Sequence, residues 1–207
     1  MTTAARRSEL VERAILVETV SIVWMVAEAA VALVSGIVAH SVSLFVFGLN
    51  SAVELVAGTI VFAQLNGESR GDTSLYGERH ERKALWAVGI SLWLLSIYII
   101  VFAGTSLVHR RAPEASPAGF AVAFTALVLT PLLGRAKIRI GTTLPNRALV
   151  ADGKETLICG WLSIVTVLGI GLNAVLGWWW ADAAAAVAML PFLVREGWMS
   201  IQHARGL

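Results

Sequence analysis

The sequence is poor in the residues from which soluble proteins build surfaces and active sites. Only 14% of its 207 residues are charged, against about 25% in ordinary soluble domains. It has one cysteine, which excludes an intrachain disulfide framework and any CxxC metal site. It has no HExxH motif, and none of its four histidines is predicted inside the membrane, where it would act as a base. A soluble enzyme, a secreted domain, a nucleic-acid reader and an intramembrane enzyme are therefore all disfavoured.

Apolar residues, in contrast, make up 57% of the chain, and a folded chain of this length exposes too much surface to hide them all from water. They fall into six stretches, each close to the length that crosses a bilayer as a helix. These stretches lie at about residues 15–38, 43–65, 84–108, 119–133, 148–172 and 181–198. The sequence thus predicts an all-α polytopic membrane protein with six transmembrane helices.

The basic residues predict its orientation. Most of the 16 lie at the N-terminus, in the second loop, in the fourth loop or at the C-terminal end. By the positive-inside rule both termini are then cytosolic, in agreement with an even number of spans. We expect a cytosolic N-terminal arm at residues 1–13, a six-helix transmembrane domain at 14–200 and a short cytosolic tail at 201–207. The basic residues of the fourth loop are expected to contact anionic lipid; they are Arg135, Lys137, Arg139 and Arg147.

Ionisable side chains inside a bilayer are costly, so each one is a candidate functional residue. Asn50 and Glu54 are four residues apart on the second span and share one helix face. Asp152, Glu155 and Cys159 follow at i, i+3 and i+7 near the start of the fifth span, again on one face. With a rise of about 1.5 Å per residue, the two faces meet near mid-membrane, and Asp152 lies shallower.

A packing role for these residues is the competing interpretation. Single polar residues often hold helices together in membranes, and Lys154 is able to neutralise Asp152 or Glu155. Glu54 is the hardest to explain in this way, because no basic residue of the first four predicted spans lies at its depth. An unpaired buried carboxylate must either take up a proton or hold a cation.

At these positions the chain resembles the cation diffusion facilitator family, whose members have six membrane helices with cytosolic termini. In that family the second helix carries two metal ligands four residues apart, as Asn50 and Glu54 are here. The fifth helix begins Ala-Asp and carries two further ligands, at the positions of Glu155 and Cys159. The sixth helix commonly begins Trp-Ala-Asp, as residues 180–182 do.

The resemblance implies a secondary transporter, an antiporter that exports divalent transition-metal cations in exchange for protons by alternating access. Its metal ligands would be Asn50, Glu54, Asp152, Glu155 and Cys159, with Asp152 as a gate or an inner way-station. Asn50, Glu155 and Cys159 depart from the usual Asp and His ligands, which leaves zinc, manganese, cobalt and iron open. The metal ion is the transported substrate, and neither a cofactor nor an enzymatic activity is expected.

The resemblance also predicts where the protein acts and with what partners. It is most similar to short bacterial members that lack the cytosolic C-terminal domain, which places it in the bacterial inner (plasma) membrane. Its partners would be the metal ion, protons and the lipid bilayer, with no nucleic acid. A homodimer would form through the membrane helices, whose Gly and Ala stretches allow close packing.

One alternative function stays open. Asn50 and Cys159 are the replacements expected if the metal site has decayed. The protein would then be a non-transporting membrane scaffold or regulatory subunit with the same fold and a degenerate site.

Overall fold

Six α-helices account for nearly all of the residues that the computed structural model describes, 3–70 and 78–206. No β-strand occurs within these two ranges. Each helix contains a segment long and apolar enough to cross a bilayer. The prediction of an all-α polytopic membrane protein is therefore confirmed. The helices are α1 (Thr3–Val38), α2 (Val42–Ser69), α3 (Glu78–Val108), α4 (Pro117–Thr143), α5 (Arg147–Leu176) and α6 (Ala181–Gly206).

The helices extend beyond the predicted apolar stretches, and the extension that matters most for the site is that of the fourth helix. It continues through Pro131 to Thr143, because neighbouring helices in a membrane bundle can satisfy the backbone group that proline frees. Arg135, Lys137 and Arg139 thus belong to α4, and only residues 144–146 separate it from α5. The prediction of a basic fourth loop containing these three residues is wrong. The expected N-terminal arm and C-terminal tail are likewise helical where the structure describes them.

The packing order differs from the chain order, because α3 and α6, α1 and α4, and α2 and α5 are in contact without being consecutive. The most extensive contacts join α4 to α5, α1 to α2, and α3 to α6. The last pair is distant in sequence, and it places α6 beside α2 and α3. Helix α2 contacts α1, α3, α5 and α6, so its polar residues lie at the centre of the bundle.

Two glycines allow α4 and α5 to meet backbone to backbone. A Cβ atom on Gly134 would lie 2.8 Å from the carbonyl oxygen of Gly153, and a Cβ atom on Gly153 would lie 2.9 Å from that of Gly134. Any larger residue would push the helices apart, as in other close membrane-helix contacts. This approach brings Lys137 of α4 next to Asp152 of α5.

The starts of α2 and α6 are joined by one buried carboxylate, that of Asp182. It accepts hydrogen bonds from Ser41 Oγ at 2.6 Å, from the backbone N–H of Val42 at 2.7 Å and from Ser43 Oγ. Ser41 also caps α2, because its Oγ accepts from the backbone N–H of Leu44. Both oxygens of Asp182 are satisfied, so this residue fixes α6 against α2.

Candidate cation site

A small cavity lies between α2 and α5, with α3 and α6 closing its other sides. Its apolar lining comes from Val53, Ala57, Val88 and Leu92. Its polar lining consists of Asn50, Glu54, Glu155 and Glu196. Helices two and five therefore bring Asn50, Glu54 and Glu155, three of the five predicted ligands, to one cavity.

Glu54 is the most deeply placed carboxylate of this cavity. Its side chain is 6% exposed, and its Oε1 has no hydrogen-bond partner among the described residues. Helix α4 also contributes a buried lysine, Lys137, which lies beyond the predicted fourth span. Lys137 is nevertheless bound elsewhere, so Oε1 stays available to a proton or a cation.

Asp152 lies outside the cavity, in a buried ion cluster. Its Oδ2 accepts a hydrogen bond from Lys137 Nζ at 2.6 Å. The same ammonium lies 3.3 Å from the carboxylate of Glu18 on α1 and 3.4 Å from Thr156 Oγ1. Gly58 of α2 leaves the necessary space, since a Cβ atom there would lie 2.9 Å from Glu18 Oε1. Asp152 is thus neutralised by Lys137, whereas Lys154, the predicted partner, is exposed.

Sequence reasoning missed Lys137, although the sequence contains a signal for its burial. Thr130, Gly134, Lys137 and Gly141 recur every three or four residues and are all buried. This is the spacing of one helix face, and the other three members are small or weakly polar. The stripe continues past Pro131 without interruption, which indicates that the helix continues as well.

Cys159 also lies outside the cavity lining and is directed towards α1. Its Sγ donates to Glu28 Oε1 at 3.4 Å and lies 4.0 Å from Ser51 Oγ. Ser51 Oγ donates to the same Glu28 oxygen. Glu28 is fully buried, and its other oxygen, Oε2, has no partner among the described residues. The structure thus makes Glu28 of α1 the neighbour of Cys159.

The carboxylates are near one another without forming a closed coordination sphere. Among the side chains that the structure describes, no three His, Cys, Asp or Glu residues are close enough together to coordinate one ion. Glu196, which the sequence analysis did not single out, joins the cavity from α6. Ion binding at the cavity therefore requires its carboxylates to move inward.

A GxSxG pattern, typical of serine hydrolases, is present in the sequence at residues 67–71. Its Ser69 is the last residue of α2. A nucleophile elbow places the serine on a sharp turn from a strand to a helix. The last residue of a long helix is not preceded by the strand that this geometry requires.

Comparison with known proteins gives one family and several distant relatives. The model of the cation efflux transmembrane domain matches residues 19–204. Transmembrane protein 163 of Xenopus laevis is 27% identical over 149 residues, which cover 72% of this chain and 52% of that protein. An uncharacterized transporter of Synechocystis sp. is 25% identical over 152 residues, 72% of this chain and 49% of the relative. The chain spans about half the length of these curated relatives.

Proposed function

The chain belongs to the cation efflux family, and from this premise we propose that it is a secondary transporter that exports divalent transition-metal cations in exchange for protons. The observation that carries the proposal is the cavity between α2 and α5. It gathers Asn50, Glu54 and Glu155 in the core of a membrane bundle. The same cavity holds a buried carboxylate oxygen, Glu54 Oε1, to which none of the described residues donates a hydrogen bond.

Each of these three residues supplies oxygen to the cation in this proposal. Glu54 provides the negative charge, because its Oε1 has no hydrogen-bond partner among the described residues. The Asn50 amide oxygen lies one helical turn away on the same face. Glu155 approaches from α5, so that the cation bridges two helices whose relative movement opens the site to either side of the membrane.

Proton exchange follows from the cost of an empty site. A carboxylate in a low-dielectric interior is expensive to leave charged and unpaired, so without a cation it takes up a proton. Binding a divalent ion then displaces that proton, and release of the ion allows a proton to return. The same oxygens thereby couple the two opposite flows.

Asp152 and Cys159 take supporting positions in this scheme. The ammonium of Lys137 already binds Asp152, so a cation that uses Asp152 as an inner way-station has to displace it. Cys159 adjoins the site through Glu28 and Ser51. Its thiol would reach an ion in the cavity only after leaving that hydrogen bond.

We further propose that both termini face the cytosol of a bacterial inner membrane. Exposed arginines support this topology at the start of α1 and towards the ends of α4 and α6; they are Arg7, Arg13, Arg135, Arg139 and Arg205. A homodimer through the membrane helices remains part of the proposal. Exposed apolar side chains on α3, such as Leu94, Ile97 and Val101, are available to lipid or to a second copy.

The experiment that tests transport is metal flux in proteoliposomes under an imposed proton gradient, with Zn²⁺, Mn²⁺, Co²⁺ and Fe²⁺ as substrates. We expect flux of at least one ion, and a loss of about tenfold or more in Glu54→Gln, since each 1.4 kcal/mol of lost binding is tenfold. Glu114→Gln makes the same chemical change at an exposed position outside the cavity and should leave flux intact.

The scaffold interpretation is the second candidate. The observation that favours it is that the described carboxylates do not already form a three-ligand cluster. It predicts no flux of any of the four ions from folded, inserted protein. It also predicts that Glu54→Gln and Glu114→Gln behave alike, an outcome that would overturn the transporter proposal.

A further inference from the structure

Helix α6 contributes a polar residue to the cavity, in addition to those from α2 and α5. Glu196 lines the cavity together with Asn50, Glu54 and Glu155. Three carboxylates and one amide therefore surround a single space whose other lining is apolar.

Cys159, the residue expected to complete the ligand set from α5, is engaged on another side. It is 1% exposed, and its Sγ donates to Glu28 Oε1 of α1 at 3.4 Å. It is not among the residues that line the cavity. Within the cavity lining, Glu155 and Glu54 are thus joined by a carboxylate of α6, while the thiol of α5 donates to Glu28 of α1.

We infer that Glu196 is a ligand of the transported cation and occupies the position in the coordination sphere expected for Cys159. The inference rests on the proposed function and deepens it. Its second support is Glu54 Oε1, which is buried, lines the same cavity and has no hydrogen-bond partner in the described part of the chain. Like charges around one space repel, and a divalent ion removes that repulsion while drawing the carboxylates inward.

An all-oxygen ligand set has a consequence for the substrate. Carboxylate and amide oxygens suit harder ions such as Mn²⁺, whereas thiolate favours softer ions. A site of Asn50, Glu54, Glu155 and Glu196 contains neither sulfur nor imidazole. It therefore favours Cd²⁺ over Mn²⁺ less than a site containing a thiolate would, and removal of the Cys159 thiol leaves the relative affinity unchanged.

The test is equilibrium binding of Mn²⁺ and of Cd²⁺ to the purified full chain in nanodiscs, by calorimetry and, for Mn²⁺, by electron paramagnetic resonance. We expect Glu196→Gln to weaken Mn²⁺ binding about tenfold or more, since loss of even an outer partner of a metal ligand commonly costs about 10–100-fold. Cys159→Ala should bind both ions as the wild type does, and Glu114→Gln is the matched control for Glu196→Gln.

A second variant separates a ligand from a merely structural residue. Glu196→Cys places a thiol where the carboxylate was, and we expect it to raise the affinity for Cd²⁺ relative to Mn²⁺ about tenfold or more, because cadmium is the softer ion. A residue needed only for folding would give no such reversal. This readout is relative, so it stands even where a variant yields less folded protein.

Three results would overturn the inference. In the first, Glu54→Gln abolishes binding while Glu196→Gln binds Mn²⁺ normally, and the proposed function survives without Glu196. In the second, Cys159→Ala loses Cd²⁺ or Mn²⁺ binding, which would show that the thiol is a ligand of the cation. In the third, the wild type binds neither ion, and the proposed function fails together with the inference.

Discussion

Two buried carboxylates of this bundle, Asp182 and Glu54, differ in how many hydrogen bonds their surroundings donate to them. Asp182, where α2 and α6 begin, accepts hydrogen bonds from two serine hydroxyls and one backbone N–H. Glu54, in the middle of α2, has an oxygen with no partner among the described residues. Both are nearly inaccessible to solvent, so burial alone does not distinguish them.

The same contrast with Asp182 holds for two carboxylates near Glu54. Glu28 and Asp152 also each have one carboxylate oxygen without a described partner, and both lie in the centre, where α1, α2 and α5 meet. An unsatisfied buried oxygen costs stability unless a proton or a cation occupies it. The end of the bundle is thus built for stability, and the centre retains unsatisfied groups that a transported ion can use.

The largest loss of stability should come from substituting Lys137, because its ammonium is the partner of two buried carboxylates in the centre of the bundle. Lys137→Met leaves Glu18 and Asp152 buried without their ammonium, and we expect the free energy of unfolding to fall by about 3–5 kcal/mol, as when one partner of a buried ion pair is removed. Denaturant unfolding in detergent measures the change. Arg139→Met removes an exposed charge from the same helix and should change stability by less than about 0.5 kcal/mol; equal stability of the two variants would contradict the buried ion cluster.

A smaller loss of stability is expected at the satisfied end. Asp182→Asn replaces a carboxylate that accepts three hydrogen bonds by an amide that cannot accept all of them. The free energy of unfolding should fall by about 1–3 kcal/mol, the cost of leaving a buried donor unpaired. Flux per folded molecule should stay near that of the wild type. A variant that is as stable as the wild type but inactive would mean that Asp182 belongs to the transport machinery.

Much of the fold is predictable because the signals for it are local. Long apolar stretches define six helices, and the four-residue spacing of Asn50 and Glu54 places both on one face. The wrong boundary of α4 also has a local cause. Pro131 and the basic residues after it are typical of a loop in water, whereas in a membrane bundle the partners of Lys137 come from α1 and α5.

The rest of the candidate site depends on packing between distant segments. Glu196 follows Arg195 near the end of an apolar stretch and is typical of a cytosolic helix end. It joins the cavity because α6 packs against α3 and α2. Cys159 is on the predicted face of α5, but its hydrogen-bond partner, Glu28, is on α1. No spacing within one helix indicates which neighbour a side chain will meet.

Among the substitutions of buried residues, Glu54→Gln is expected to change stability least, and it tests the contrast between Glu54 and Asp182 most directly. The substitution keeps the shape of the side chain and removes a charge whose Oε1 has no described partner, so the free energy of unfolding should change by less than about 1 kcal/mol. Saturating Mn²⁺ should stabilise the wild type by about 2.7 kcal/mol at 100 times Kd and should not stabilise the variant, as measured by thermal unfolding with and without the ion. If Glu54→Gln instead unfolds as readily as Lys137→Met, Glu54 is a structural residue like Asp182. The buried carboxylates at the centre and at the end of the bundle would then both serve stability, and the proposal that the cavity binds the cation would be contradicted.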